Sequence, residues 1–302
     1  MGEAWRGSRR YLGPVQPRPT NLFAPTSFVW MLRLLWVALA LVMGFTVSGS
    51  IALSAWLAVV GLSIVCLVAP STWGLTVLRM VAPALVPAAV LAWVQSDSAA
   101  RGGASLALAA LTALVTASGE VGEAMVQGNA YGSEHRFPLR PPAAMLVPMA
   151  LSWLVWCALS LTAVTLLVQH QWIGGVPLAA VAVAATWFLG RRFHRFAGRW
   201  LVLLPGSVVV HDGVVLGETL MVQRTNVAGA RLALADTDAA DLTGPAGGHA
   251  LEVAVREMVL AVFAATPNEP KGRAIHLQSF LVAPTRPGRA LTAMADAKLP
   301  MS

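Results

Sequence analysis

Arg191-Arg192-Phe193-His194-Arg195-Phe196-Ala197-Gly198-Arg199-Trp200 divides this chain into two halves of different character. Before it the sequence runs in long apolar segments; after it the hydrophobic period shortens and turn residues recur every few positions. The stretch itself is basic and amphipathic. At about 100° per residue a helix would gather Arg191, Arg192, Arg195 and Arg199 within one sector and set Phe193, Phe196 and Trp200 on the opposite side. Residues 191–199 therefore form a hinge whose arginines suit anionic lipid headgroups and whose aromatics suit docking on the domain that follows.

The apolar half is built for a bilayer. Of 302 residues, 57% are hydrophobic and only 12% charged, against roughly 25% charged in a soluble domain, and mean hydropathy is +0.67. Six spans are predicted, at 28–47, 51–68, 73–93, 104–118, 143–168 and 173–189, each with the length needed to cross or nearly cross a hydrocarbon core of about 30 Å. The start is basic and lacks a small-residue cleavage site, so residues 1–26 read as the basic flank of an uncleaved signal anchor. Residues 27–190 form the transmembrane domain.

Charge sets the expected orientation. Residues 1–199 carry 13 arginines and five acids, whereas residues 200–302 carry eight Lys+Arg and nine acids. The arginines flank the spans, so the positive-inside rule places both chain ends and the long loop 119–142 in the cytoplasm. This asymmetry accounts for the basic balance without a nucleic-acid partner. Arginine far exceeds lysine in a chain rich in alanine and valine, which points to a bacterial plasma membrane.

Two arginines lie inside spans, where charge is expensive. Arg33 and Arg79 fall in the cytoplasmic halves, within snorkelling reach of headgroups. For Arg79 the sequence also offers a partner: Glu120 and Glu123, at i, i+3, share a helical face where the fourth span ends.

The densest set of functional side chains is Gln127-Gly128-Asn129-Ala130-Tyr131-Gly132-Ser133-Glu134-His135-Arg136-Phe137-Pro138-Leu139-Arg140-Pro141-Pro142. Its glycines and prolines predict an ordered, irregular loop rather than a helix. As a site, Arg136 and Arg140 would hold an anion while Glu134 and His135 supply acid-base capacity, with Asn129 and Tyr131 beside them. As a connector, the same residues fix topology or dock on the carboxy-terminal domain. No Walker loop, zinc-ligand spacing, paired CxxC or G-x-S-x-G pattern is present, so no cofactor or metal is expected. Cys66 and Cys157 read as small hydrophobes.

After the hinge, strands are predicted at 200–204, 207–211, 214–217, 219–223, 228–234, 250–256, 259–264 and 274–283, with Asp212-Gly213 as a hairpin turn and a final helix over 288–298. Asp236, Asp238 and Asp241 lack the ligand spacing of a calcium loop and read as a solvated turn. This order of short strands and one terminal helix over residues 200–302 resembles the bacterial pleckstrin-homology-like (PH-like) domains, bent two-sheet barrels closed by a carboxy-terminal helix. The resemblance implies a cytoplasmic binding or assembly module with a protein partner. The whole chain, with its Asn129-to-Arg140 loop, also resembles uncharacterised multi-pass membrane proteins of actinobacteria, a resemblance that implies no activity and transfers no site residue. The function expected is a non-enzymatic membrane protein with a binding module. The competing reading is a lipid-handling enzyme or a transporter of lipid or small solutes that uses the 120–140 region.

Overall fold

The computed structural model describes residues 25–47, 49–265, 269–270 and 272–302; the basic segment carrying Arg6, Arg9, Arg10 and Arg18 lies outside them. Eight helices and eight strands follow in order: α1 (Pro25–Gly44), α2 (Ser50–Val68), α3 (Thr72–Val94), α4 (Ala99–Ala117), α5 (Gly119–Gln127), β1 (His135–Pro138), α6 (Ala143–Val168), α7 (Trp172–Ala197), β2 (Trp200–Leu203), β3 (Ser207–His211), β4 (Leu220–Gln223), β5 (Val227–Leu232), β6 (Ala240–Asp241), β7 (Leu251–Phe263), β8 (Arg273–Val282) and α8 (Pro287–Asp296). Six of the helices, α1–α4, α6 and α7, are long and apolar enough to cross a membrane, so the chain is a multi-pass membrane protein.

The spans begin and end where local chemistry dictates. The hydroxyls of Ser71, Ser98 and Ser118 accept from the first-turn amides of α3, α4 and α5, as helix N-caps do. Hydroxyls inside spans are satisfied by their own helix: Thr46, Ser63, Thr76, Thr112, Thr116, Thr165 and Thr186 each donate to the carbonyl four residues back, which a hydrocarbon surrounding demands. Three arginines cap the carboxy-terminal carbonyls of neighbouring helices. Arg33 reaches Leu67 O of α2 at 2.7 Å, Arg79 reaches Ser118 O beyond α4 at 3.4 Å, and Arg101 reaches Phe45 O beyond α1 at 3.3 Å. A cation at the negative end of a helix is favourable, so Arg33 and Arg79 do more than snorkel.

One end of the bundle carries a β-domain of two four-stranded sheets, ordered β1-β2-β3-β4 and β5-β7-β8-β6. The inward faces of both sheets and α8 share a single core that includes Phe137, Leu201, Val210, Val253, Phe280 and Met294. The edge strand β1 comes from the loop between α5 and α6. It pairs antiparallel with β2, placing His135 opposite Leu203 and Pro138 opposite Trp200. The α6–α7 hairpin is thus inserted between two neighbouring strands of one sheet, and the chain passes three times between bundle and sheet.

Four expectations are corrected. The 127–142 loop is not wholly irregular, because Gln127 ends a helix and 135–138 finds a strand to pair with. Residues 214–217 form a turn with an isolated bridge from Leu216 to Phe263 rather than a strand, since Asp212 Oδ1 accepts from the amides of Val214 and Val215 and curls the chain. The strands expected at 250–256 and 259–264 are one 13-residue strand with a bulge. Finally, α7 runs to Ala197 and Gly198 ends it. Arg199 therefore leaves the arginine face of that helix and is fully buried in the β-domain.

Candidate polar site at the bundle and β-domain junction

The residues expected to form one site divide among three local structures. The first closes the loop on itself. The Gln127 amide donates from Nε2 to Glu134 O at 2.8 Å and accepts Arg136 N–H at Oε1 at 2.9 Å. Glu134 Oε1 accepts from Tyr131 N at 2.5 Å and pairs with Arg136 Nη2 at 2.6 Å, both side chains being mostly buried. The Glu134 carboxylate is thereby committed to holding a turn. Asn129 and Tyr131 point outward at the tip, with Tyr131 84% exposed, and His135 sits in β1.

Gly128, just after α5, is required by close approach. A Cβ there would lie 2.3 Å from Pro70 O and 2.9 Å from its carbonyl carbon, both backbone atoms that cannot swing aside. Gly128→Ala is expected to destabilise the protein by about 1–3 kcal/mol through overpacking, measured as a lower Tm of the detergent-solubilised chain.

The second structure is an ion-pair clamp between α5 and α8. Arg286 lies 3.3 Å from Glu120 and 3.5 Å from Glu123, and Arg289 lies 3.4 Å from Glu123. Arg79, expected to pair with one of these carboxylates, has its hydrogen bond with the Ser118 carbonyl and packs against Gly122. The clamp joins the bundle to the β-domain. The backbone adds to it, as Thr285 N donates to Pro138 O at 2.8 Å.

The third is the buried Arg199. Its Nε and Nη2 donate to the two carboxylate oxygens of Asp212 at 2.8 and 2.7 Å, and both side chains are fully buried. Its Nη1 donates to Arg140 O at 2.6 Å and Nη2 also reaches Thr243 O at 3.3 Å. A bidentate guanidinium with its remaining donors on carbonyls is the arrangement that makes a buried charge tolerable. Arg140 belongs here too: its N–H donates to Ala283 O, and its guanidinium to His249 O. This corrects the placement of Arg199 at the membrane surface. The signal in the sequence is Gly198, which breaks the helix one residue before it.

Of the hinge, Arg191, Arg192 and Arg195 remain exposed. Arg191 folds back over Trp187 and Arg192 over Phe188. The aromatics do not all dock on the barrel, because α7 stays helical: Phe193 packs with Met80, Trp156 and Cys157 between spans. Trp200 bridges the two halves, resting against the α1–α5 cluster while its ring stacks on His211 at 5.1 Å and lies under Arg136. His194 stacks on Trp73 at 3.7 Å and bonds Thr76, a contact that sequence reading missed.

His211 carries a pH consequence. Burial holds its imidazole below the usual range, Asp212 pulls it up, and Arg136 lowers it again. A base that is harder to protonate when folded contributes stability fully above its ordinary value of 6.5, and that contribution is lost as pH falls below 6.5 toward the folded value. Tm is expected to fall on acidification through this window, and His211→Gln should flatten that part of the profile.

Among the described residues no three His, Cys, Asp or Glu side chains converge as a metal-holding group. The junction is chemically a set of ion pairs and carbonyl bonds that fasten two structures together. No protein-family model, curated protein or solved structure matches the chain.

Proposed function

We propose that this is a non-enzymatic bacterial plasma-membrane protein whose β-domain is a rigidly mounted, cytoplasmic binding or assembly module of the PH-like kind. One observation carries the reading: β1, taken from between two spans, is a strand of the β-domain sheet, so the module cannot turn without the bundle. The polar loop supports it as well, because Gln127, Glu134, Arg136 and Arg140 are occupied in fastening it. A meander of four strands, a second sheet built mainly from β5, β7 and β8, and a closing helix fit a PH-like barrel. Arg33, Arg79, Arg136, Arg140, Arg191, Arg192 and Arg195 gather toward the β-domain end while Arg101 starts α4 at the other, which favours a cytoplasmic β-domain. The exposed Arg191, Arg192 and Arg195 then lie where anionic headgroups would meet them.

The module presents apolar side chains for a protein partner, including Met221 and Met258, 60% and 66% exposed. Cross-linking and purification of the full chain from its own membranes should recover a stoichiometric protein. Met221→Lys with Met258→Lys should lose it, while Tyr131→Ala at the loop tip should keep it. A preparation without such a partner, or one whose partner is lost only with Tyr131, counts against the reading.

A further inference from the structure

The α6–α7 hairpin is hydrogen-bonded to α3 in the half of the bundle nearer the β-domain. There Trp153 Nε1 donates to Met80 O at 3.0 Å, and His194 bonds Thr76. Toward the opposite, distal face α6 separates from α2 and α3 and leaves a cleft of about 500 Å³. Its walls run along α3 from Val81 to Gln95 and along α6 from Trp156 to Gln169, with Trp56 of α2 on a third side. At about 1.5 Å per residue these walls are about 20 Å long, so the cleft is an elongated slot. A slot of this length, walled by side chains on three sides, suits an extended hydrocarbon chain, whose carbons approach neighbours at about 4 Å.

The lining is mainly apolar, with the hydroxyls of Thr46, Ser160 and Thr165 among it, and ends at two neutral carboxamides, Gln95 and Gln169, both exposed at the distal ends of their helices. An apolar cavity does not hold water, and within a bilayer hydrocarbon is the available filler. Gln169 accepts at Oε1 from Gln171 at 3.4 Å, which directs its NH₂ to other acceptors. Neutral amide donors at the mouth match ester carbonyls better than a charged headgroup. The nearest arginine of that face, Arg101, is engaged with Phe45 O.

We propose that this cleft holds one acyl chain of a bilayer lipid, with the ester region bonded at Gln95 and Gln169 and the second chain left in the membrane. The site lies at the opposite end of the bundle from the β-domain, so it is independent of the module reading and can fail or stand without it.

The test uses the full chain in nanodiscs of phosphatidylcholine carrying a diazirine on one acyl chain, with adducts mapped by peptide mass spectrometry. Adducts are expected to concentrate on Leu85, Trp156 and Val164 over the lipid-facing Leu57 and Val183, which are 59% and 70% exposed. Ala88→Trp fills the slot from α3 and Ser160→Phe fills it from α6. Whichever variant remains monodisperse should lose the cleft adducts and keep those on Leu57 and Val183. Gln95→Ala with Gln169→Ala, at exposed positions that leave packing intact, should reduce the cleft adducts selectively. Even labelling of cleft and outer positions in the unaltered chain, or cleft adducts that survive filling, overturns the proposal. So does labelling by a free diazirine fatty acid but not by the lipid, which would assign the slot to a single-chain amphiphile.

Discussion

Arg199→Ala is expected to lower stability by about 3–5 kcal/mol, because it leaves a fully buried carboxylate without its cation. Two further groups lose their partner at once, Arg140 O and Thr243 O. In a domain of about 100 residues the loss corresponds to a fall in Tm of about 12–40 °C, followed by circular dichroism of the solubilised chain. Asp212→Ala should be comparably damaging and should also release the 213–215 turn that its Oδ1 holds. Arg199→Met combined with Asp212→Leu removes both charges and should recover much of the loss. A Tm for Arg199→Ala equal to that of the parent chain would show that the pair does not hold the β-domain together.

Phe137→Ala is expected to detach β1. Phe137 is 4% exposed within the β-domain core, and truncating a buried phenylalanine costs about 3–5 kcal/mol. The strand has only four residues, paired with β2 on one side and held on the other by the Thr285 N–H to Pro138 O bond, and Phe137 and the adjoining Leu139 anchor it in the core. Limited proteolysis of the variant should open cleavage sites between residues 128 and 142 that the parent chain resists, while the Trp200–His211 end of β2 and β3 stays protected. Resistance of the variant across 128–142 would mean that the strand is held chiefly by the loop ion pair of Glu134 and Arg136 and by the α5–α8 clamp. The clamp arginines are partly exposed, with Arg289 40% accessible, and exposed pairs contribute about 0–1 kcal/mol each, while the Glu134–Arg136 pair holds the turn before β1 rather than the strand's packing. The core residue is therefore expected to dominate.

The spans were legible because a membrane helix is specified by length and by apolar content, both local properties. All six expected spans fall on helices; four agree to within a few residues, while 104–118 starts earlier at Ala99 where Ser98 supplies the cap and 173–189 continues to Ala197. Most strands after the hinge were also legible, since turn residues such as Pro205-Gly206 bound β2 and β3 on the sequence itself. The errors have one origin. Asp212-Gly213 carries a hairpin signal, but the aspartate is drawn to a guanidinium 13 positions away. Likewise 135–138 contains a proline and two arginines within reach, and only its partner strand makes it extended.

The candidate site fared by the same rule. Residue types at 120–140 marked the junction as polar and dense in charge, yet which charge meets which depended on elements remote in the chain. Glu120 and Glu123 find Arg286 and Arg289 of α8, and Arg140 finds Arg199, Ala283 and His249. Composition, hydrophobic period and helix breaks are set residue by residue and therefore determine the six spans, the change of period at Trp200 and the end of α7 at Gly198. Only the tertiary structure decides that a loop strand joins the sheet from which two spans separate it in sequence, that Arg199 is a core residue, and that α3 and α6 wall an apolar cleft. Pairing energies depend on distances between segments far apart in sequence, and those distances exist only once the chain has folded.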